Sequence, residues 1–381
     1  MRKKIFNSIG LMSGTSMDGI DLSVIKSDGV NIAEPIINEY YEFDQNLFNK
    51  LTDLRSILKN TEDLTEYSQE IETVERDFTL FHAKIIKEII EKKNLDIDIV
   101  GFHGQTILHL PHKKISKQLG DGNLLSQLIK CKVVNKFRQK DLSFGGQGAP
   151  LTPIYHFLIS KLLNDKFNID YPINIINIGG ITNISKIFNS ENIENNLFAY
   201  DIGPGNCMID EWIRKNTNQK FDKDGILANS GKTNQLILNQ AIDNFKIKSI
   251  ENSMDINNFD ISFIRGLGVE EGCATITEFT AYLISEGIKI SINKDDLNLK
   301  NFFISGGGRK NKYLVKKINK FLNDYGIKLE NIDQFNINGD FIESQAFAYL
   351  AIRSYLDLPI SFPNTTRCTQ PITGGIINNN F

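Results

Sequence analysis

Ile9-Gly10-Leu11-Met12-Ser13-Gly14-Thr15-Ser16-Met17-Asp18-Gly19-Ile20-Asp21 is the stretch from which the rest of the chain can be organised. It lies between an apolar N-terminal run and the β-favouring segment Leu22-Ser23-Val24-Ile25, so it predicts the tight connection of a β-hairpin. Gly14, Thr15, Ser16 and Gly19 offer backbone N–H groups and hydroxyls with little steric cover, which is what a phosphate needs at close range. The same residues equally serve turn geometry alone, since Gly, Ser and Thr dominate ordinary loops. The stretch lacks the G-x-x-x-x-G-K-[ST] pattern and no helix follows it, so it is not the common P-loop.

The chain has 381 residues, beyond the size at which one core usually keeps growing, and two domains are expected. A net charge of −3 spread along the sequence gives no electrostatic argument for nucleic acid or an anionic membrane. Lys113-Lys114 and Lys316-Lys317 read as solvated faces. Cys131, Cys207, Cys273 and Cys368 are scattered without C-x-x-C spacing, so neither a zinc knuckle nor a disulfide framework is indicated, and a reducing, cytoplasmic location is expected. No stretch approaches the ~20 apolar residues of a membrane span.

After the hairpin, Glu39–Phe43 reads as a strand, and Phe48–Leu58 and Leu64–Lys93 as helices. In the longer helix Ile71, Val74, Phe78, Phe81, Ile85 and Ile89 recur at helical spacing, one buried stripe on a charged helix. A strand at Ile97–Phe102 then delivers His103-Gly104-Gln105-Thr106 to its C-terminal end, where open α/β sheets place ligand groups, so His103, Gln105 and Thr106 are candidate site residues. His103, His109 and His112 match no metal-binding spacing. Next come a turn at Gly120-Asp121-Gly122, a helix over Leu124–Lys130, a strand at Lys132–Val134 and a loop from Asn135 to Pro150. Phe137-Arg138 and Gly145-Gly146-Gln147-Gly148-Ala149-Pro150 put permissive backbone next to a guanidinium suited to a carboxylate or phosphate.

The first domain is expected to end near residue 165, giving an N-terminal lobe over 1–165 and a C-terminal lobe over 166–381. The second half repeats the opening grammar: a strand Ile173–Ile178, the turn Gly179-Gly180-Ile181-Thr182-Asn183, and a strand Ile184–Phe188. A further strand, Leu197–Tyr200, ends at Asp201-Ile202-Gly203-Pro204-Gly205-Asn206, followed by a helix over Met208–Arg214. Asp201 reads either as a base aimed past a Gly-Pro-Gly turn or as a cap, and Asn206, closer to the helix, is the better cap. A long helix spans Glu270 to Ser291. The strand Asn301–Ile304 runs into Ser305-Gly306-Gly307-Gly308-Arg309-Lys310-Asn311 and a helix, a setting in which bare backbone admits a base or phosphate. Glu343 opens the helix Ile342–Ala351, either complementing the helix dipole or serving as a ligand for sugar hydroxyls.

The motifs G-L-M-S-G-T-S-M-D-G-I-D, F-H-G-Q-T-I-L-H, G-G-Q-G-A-P-L-T-P, N-I-G-G-I-T-N-I, D-I-G-P-G-N and E-S-Q-A-F-A-Y-L-A, in this order and over nearly the whole chain, resemble the anhydro-N-acetylmuramic acid kinase family. The resemblance implies an α/β fold of two ribonuclease-H-like lobes with mixed sheets around a central ATP cleft, as in actin, hexokinase and Hsp70. It implies that Gly14, Thr15, Ser16, Met17, Asp18, Gly19, Ile20 and Asp21 meet the ATP phosphates, with Gly179 and Gly180 opposite, and that Gly306, Gly307, Gly308 and Asn311 lie at the adenosine. Asp201 matches the catalytic base. His103, Gln105, Thr106, Arg138 and Glu343 match the sugar side. ATP and Mg²⁺ are the implied cofactors, an amino sugar the implied substrate and a homodimer the implied assembly, with no Mg²⁺ ligand named. Lys136 stands where the family usually has Asp, and Ser344 where it usually has Ala or Gly. Two rivals are an ATP-driven binding module of the same fold and a glycosidase using Asp201 and Glu343 as its carboxylate pair.

Overall fold

The quoted stretch folds as a hairpin in the computed structural model, which describes residues 4–14, 16–245, 253–293 and 301–381. β1 (Phe6–Met12) and β2 (Gly19–Ser27) pair antiparallel from Phe6↔Ser27 to Met12↔Asp21. β3 (Ala33–Glu42) continues the meander and is longer than the expected Glu39–Phe43 because its polar residues pair along all of β2. β4 (Ile99–Phe102) lies parallel to β1, a hairpin of β5 (Gln105–Leu110) and β6 (Ile115–Leu119) stands apart, and β7 (Lys132–Asn135) lies parallel to β4. The strand order β3-β2-β1-β4-β7, closed by Ile376–Asn378 beside β7, is ribonuclease-H-like.

Helices α1 (Gln45–Ile57) and α2 (Ser68–Lys93) cover one face of this sheet. Asp44 caps α1 by accepting from the Leu47 amide at 2.8 Å. The expected stripe on α2 is buried at Ile71, Val74, Phe78, Ile85 and Ile89, while Phe81 sits at its half-buried margin. Burying such side chains stabilises by roughly 1.5–3 kcal/mol each, so the stripe fixes α2 on the sheet.

The chain divides into one unit of Met1–Leu158 with Phe341–Phe381 and another of Ile159–Asp340. The expected division at 165/166 therefore differs at the C-terminus, and bare backbone explains why. Gly10 and Gly101 are register partners on β1 and β4. A methyl on Gly10 would stand 1.9 Å from the Ser344 carbonyl oxygen, and one on Gly101 2.1 Å from that of Phe347. Two adjacent glycines thus let the helix Ile342–Tyr355 lie against the sheet backbone, where Ser8 Oγ donates to Ala348 O at 2.9 Å.

The second unit repeats the topology. β8 (Ile173–Ile178), β9 (Ile181–Ile187) and β10 (Leu197–Pro204) form an antiparallel meander, with β11 (Phe302–Ser305) parallel to β8 and β12 (Leu329–Asn331) parallel to β11, in the order β10-β9-β8-β11-β12. α3 (Cys207–Asn216), α4 (Val269–Asn293) and α5 (Lys312–Leu322) carry Ile209, Ile276, Ile284, Leu314 and Ile318 into its core. Tyr200, Ile184, Ile176 and Ile304 form one cross-strand row facing that core. Neighbouring residues along a strand point to opposite faces, so the next row faces away from α4. The two sheets share one order, and the α/β fold is a duplicated ribonuclease-H-like unit.

Candidate functional site

In the first unit, the turn between β1 and β2 is held by side chains as well as strand pairing. Met17 takes a left-handed backbone, φ 56°, and buries its side chain in the core, as Ile20 does one step into β2. Both can therefore meet a ligand only through backbone. Thr15 lies outside the described residues. Gly14 is open, for a methyl there would have only Ser16 Oγ nearby, at 4.0 Å. Gly19 is confined, since a methyl would stand 2.4 Å from Tyr41 O. Ser16 Oγ donates to Asp18 Oδ1 at 2.5 Å. The Tyr40 phenol donates to Asp18, and burial, with the charges of Asp18, Glu42 and Asp21, pushes its pKa well above the ordinary value. Negative potential at the mouth of the turn suits phosphate accompanied by a cation.

Gln105 is buried at 1% exposure and is hydrogen-bonded to this turn. Its Oε1 accepts from Ser13 Oγ at 2.6 Å, and its Nε2 donates to Gly14 O at 3.1 Å. His103 and Arg138 meet directly. His103 Nδ1 lies 2.7 Å from Gly104 O, so Nδ1 carries the proton and Nε2 accepts from Arg138 Nε at 3.1 Å and Nη2 at 2.9 Å. Burial, reinforced by Arg138, holds the His103 pKa well below its ordinary value, which keeps the ring neutral and able to accept. His109 is pushed down to about 3 by burial and by Arg138.

Arg138 Nη1 donates to Gly148 O at 2.9 Å, joining the guanidinium to the glycine-rich loop. Buried Asp141 anchors that loop: Oδ2 accepts from the Gly148 amide at 2.7 Å and Oδ1 from Thr366 Oγ1 at 2.6 Å. Thr106 Oγ1 accepts from Gln118 Nε2 at 3.2 Å within the β5–β6 hairpin. Lys136, the charge-changing departure, is exposed with φ 53°. Ser344 is buried and its hydroxyl meets Ser23 Oγ at 2.7 Å, so this second departure joins the closing helix to β2. Glu343 occupies the first turn of that helix, half-buried, and Phe347 in the next turn packs its ring against His103, tilted by 40° with centroids 4.4 Å apart. One unit therefore carries the β1–β2 turn, His103, Gln105, Arg138 and Glu343.

In the second unit, the start of α3 locks the turn Gly179-Gly180. The Asn206 amide donates to Gly179 O at 2.7 Å and the Gly205 amide to Gly180 O at 2.8 Å. Gly205 is required there, because a methyl would stand 2.0 Å from Gly179 O. Asn206 takes the N-cap position but makes no side-chain cap bond. Its amide points toward the triple glycine instead: a methyl on Gly308 would lie 3.1 Å from Asn206 Oδ1 and one on Gly307 3.7 Å from Nδ2. Gly306, φ 76°, and Gly308 are demanded by packing on β8, while a methyl on Gly307 meets nothing closer than that Asn206 contact. Arg309 turns inward and ties the loop to Asp333 and Asp340 with bonds of 2.6–3.0 Å. Asn311 caps α5, accepting from the Leu314 amide at 2.9 Å.

Asp201 stands inside β10 rather than at its end, because β10 runs on to Pro204 through a bulge between Asp201 and Gly203. Bulges re-aim side chains, and this one follows the carboxylate directly. Asp201 is 8% exposed, and its Oδ2 accepts from the Met254 amide at 2.8 Å. Register places Asp201 opposite Asn183, Asn183 opposite Asn177, and Asn177 opposite Ser305. A polar row therefore crosses four strands on the face opposite the apolar row, ending beside Gly306. Sequence reading took Asn206 only as a cap and passed over Asn177 and Asn183, for which the available signal was an amide interrupting isoleucine-rich strands. Among the described residues no group of three or more His, Cys, Asp or Glu side chains is arranged to hold a metal, and no helix is long and apolar enough to cross a membrane.

Residues 6–380 match the family described as Anhydro-N-acetylmuramic acid kinase. A protein of that name from Pelagibacter ubique is 49% identical over 381 residues, covering 100% of both chains. Another of the same name from Zymomonas mobilis is 34% identical, covering 97% of this chain and 99% of the relative. Among solved structures, (R)-2-hydroxyglutaryl-CoA dehydratase component A from Acidaminococcus fermentans is 13% identical, covering 92% of this chain and 99% of that one, at TM-score 0.44. With the six motifs in place and the match running from Phe6 to Asn380, the chain belongs to the anhydro-N-acetylmuramic acid kinase family.

Proposed function

We propose that this protein is an ATP-dependent kinase that opens the 1,6-anhydro ring of 1,6-anhydro-N-acetylmuramic acid with water and phosphorylates O6, giving N-acetylmuramic acid 6-phosphate and ADP in the recycling of cell-wall sugar. Family membership over residues 6–380 carries the reading. The substrate has no free 6-hydroxyl, so ring opening and phosphoryl transfer are coupled. Water attacks C1, its proton passes to Asp201, the C1–O6 bond breaks, and O6 takes the γ-phosphoryl group. Anchoring of the carboxylate by the Met254 amide supports a base held in one orientation.

Gly14 and Ser16 of the first turn, with Gly179 and Gly180 of the second, bind the phosphates through backbone and hydroxyl donors, and Gly307 receives the adenosine. Gln105 positions the first turn from behind. Arg138, oriented by neutral His103, binds the carboxylate of the substrate's lactyl group, while Glu343 accepts from sugar hydroxyls. Asp18 and Asp21, whose charges already act on Tyr40, suit the hydrated edge of a Mg²⁺ ion, which takes one or two carboxylates and keeps several waters. When bound, Mg²⁺ neutralises charge developing on the phosphoryl oxygens.

A cytoplasmic homodimer belongs to the same proposal. Four cysteines outside any disulfide support a reducing compartment, and sizing at micromolar concentration tests the dimer. The activity is tested by incubating the protein with the anhydro sugar, with and without MgATP. The reading expects a product heavier by one phosphoryl group and one water only when ATP is present. Ring opening without ATP makes the protein a hydrolase, and ATP turnover without sugar product makes it an ATP-driven binding module.

A further inference from the structure

The polar row on the second unit's sheet contains an acceptor that the reading above does not use. Asn183 Oδ1 is buried and has no hydrogen-bond partner among the described residues. It lies on β9 directly opposite Asp201 on β10, on the same face of the sheet. Cross-strand partners hold their Cβ atoms about 4.5–5.5 Å apart, close enough for one water molecule to reach both side chains. A buried amide oxygen without a donor lowers stability, and such an atom calls for an explanation.

We propose that Asn183 holds the attacking water together with Asp201. The inference rests on the kinase reading. Water has two O–H bonds: one points at the Asp201 carboxylate, which takes that proton, and the other donates to Asn183 Oδ1. With both hydrogens held on the sheet side, the oxygen lone pair faces outward to C1. The oxygen–C1 bond forms as C1–O6 breaks, O6 takes the phosphoryl group, and the second proton stays on the new C1 hydroxyl. A carboxylate alone fixes only one O–H direction and leaves the water free to rotate about it. A second acceptor at the neighbouring strand position removes that freedom, so Asn183 touches the reacting water and orients it.

Asn183→Leu removes the acceptor at nearly constant volume. Its kcat should fall on the order of 10- to 100-fold, the scale at which misplacing a reacting group costs rate. KM for ATP and sugar should stay within about twofold, since binding is not the water's task. The melting temperature should hold or rise, because an unsatisfied buried acceptor is gone. Asn183→Ala provides the same comparison if leucine fails to pack. In single-turnover reactions with enzyme in excess, Asp201→Asn combined with Asn183→Leu should be no slower than Asp201→Asn alone, because both residues act through one water. An Asn183→Leu protein with normal kcat, or a double variant slower by the product of the two single effects, overturns the inference while leaving the kinase reading standing. A wild-type protein that fails to phosphorylate the anhydro sugar overturns both.

Discussion

Gly307 and Gly308 are adjacent, yet the structure predicts opposite consequences for the same added methyl. On Gly308 the methyl would stand 2.2 Å from Ile178 Cγ2, and Ile178 is fully buried in the core. β8 cannot withdraw without breaking its pairing to β9 and β11, so Gly308→Ala is overpacking, at a cost of about 1–3 kcal/mol. For a unit of this size that lowers the melting temperature by roughly 2–12 °C. On Gly307 the nearest atom to the methyl would be Asn206 Nδ2 at 3.7 Å, ordinary contact, and the backbone there is not left-handed. Gly307→Ala should therefore keep or slightly raise stability, by up to about 1 kcal/mol from reduced freedom of the unfolded chain. If adenosine lies against Gly307, the methyl displaces it, and a loss of about 1–3 kcal/mol weakens ATP binding roughly 5- to 150-fold. Thermal melting and calorimetric titration of ATP on the two variants check both halves. A destabilised Gly307→Ala, or one that binds ATP as wild type does, refutes the reasoning.

Gly10→Ala should destabilise by at least about 1–3 kcal/mol, because its methyl would meet the Ser344 carbonyl oxygen at 1.9 Å, and denaturant unfolding measures the loss. Gln105→Ala should weaken ATP binding more than sugar binding, since Gln105 bonds to Ser13 and Gly14; calorimetry showing the reverse would return Gln105 to the sugar. Stability should fall as pH drops below about 6.5, because the unfolded state then binds protons that the native state refuses. His82 and His156 are pushed down to about 3 by burial, and His103 is lowered by burial and Arg138. Their contribution is fully present above the unfolded pKa and declines toward the folded ones, by up to about 1.4 kcal/mol per histidine per pH unit. A melting temperature flat between pH 7.5 and 5 would contradict this.

Both hairpins were legible because each is an apolar run, a glycine-bearing turn and a second apolar run, a pattern that needs no distant partner. The helical stripe on α2 was legible for the same local reason. The return of residues 341–381 to the first unit was not. It depends on Gly10 and Gly101 becoming neighbours through parallel pairing of β1 and β4, and on a helix more than 200 residues later using the bare backbone they create. Asp201 was legible as a carboxylate near a Gly-Pro-Gly turn, although the bulge that keeps it within β10 was not. Asn183 and Asn177 escaped notice because single amides in isoleucine-rich strands gain meaning only through register. Gln105 was singled out, but its hydrogen bonds to Ser13 and Gly14 were not legible, since its position after His103 says nothing of that turn.

Asp201 is the residue on which the proposed mechanism turns. Asp201→Asn keeps the side chain's shape and an oxygen for the Met254 amide, but it cannot take the water's proton. The measurement is turnover of 1,6-anhydro-N-acetylmuramic acid with MgATP by this variant, alongside its melting temperature and its affinity for both substrates. The account predicts a loss in kcat on the order of 10² to 10⁴ with folding and binding retained. A stable Asp201→Asn protein that binds both substrates and turns over at a near-normal rate would contradict it.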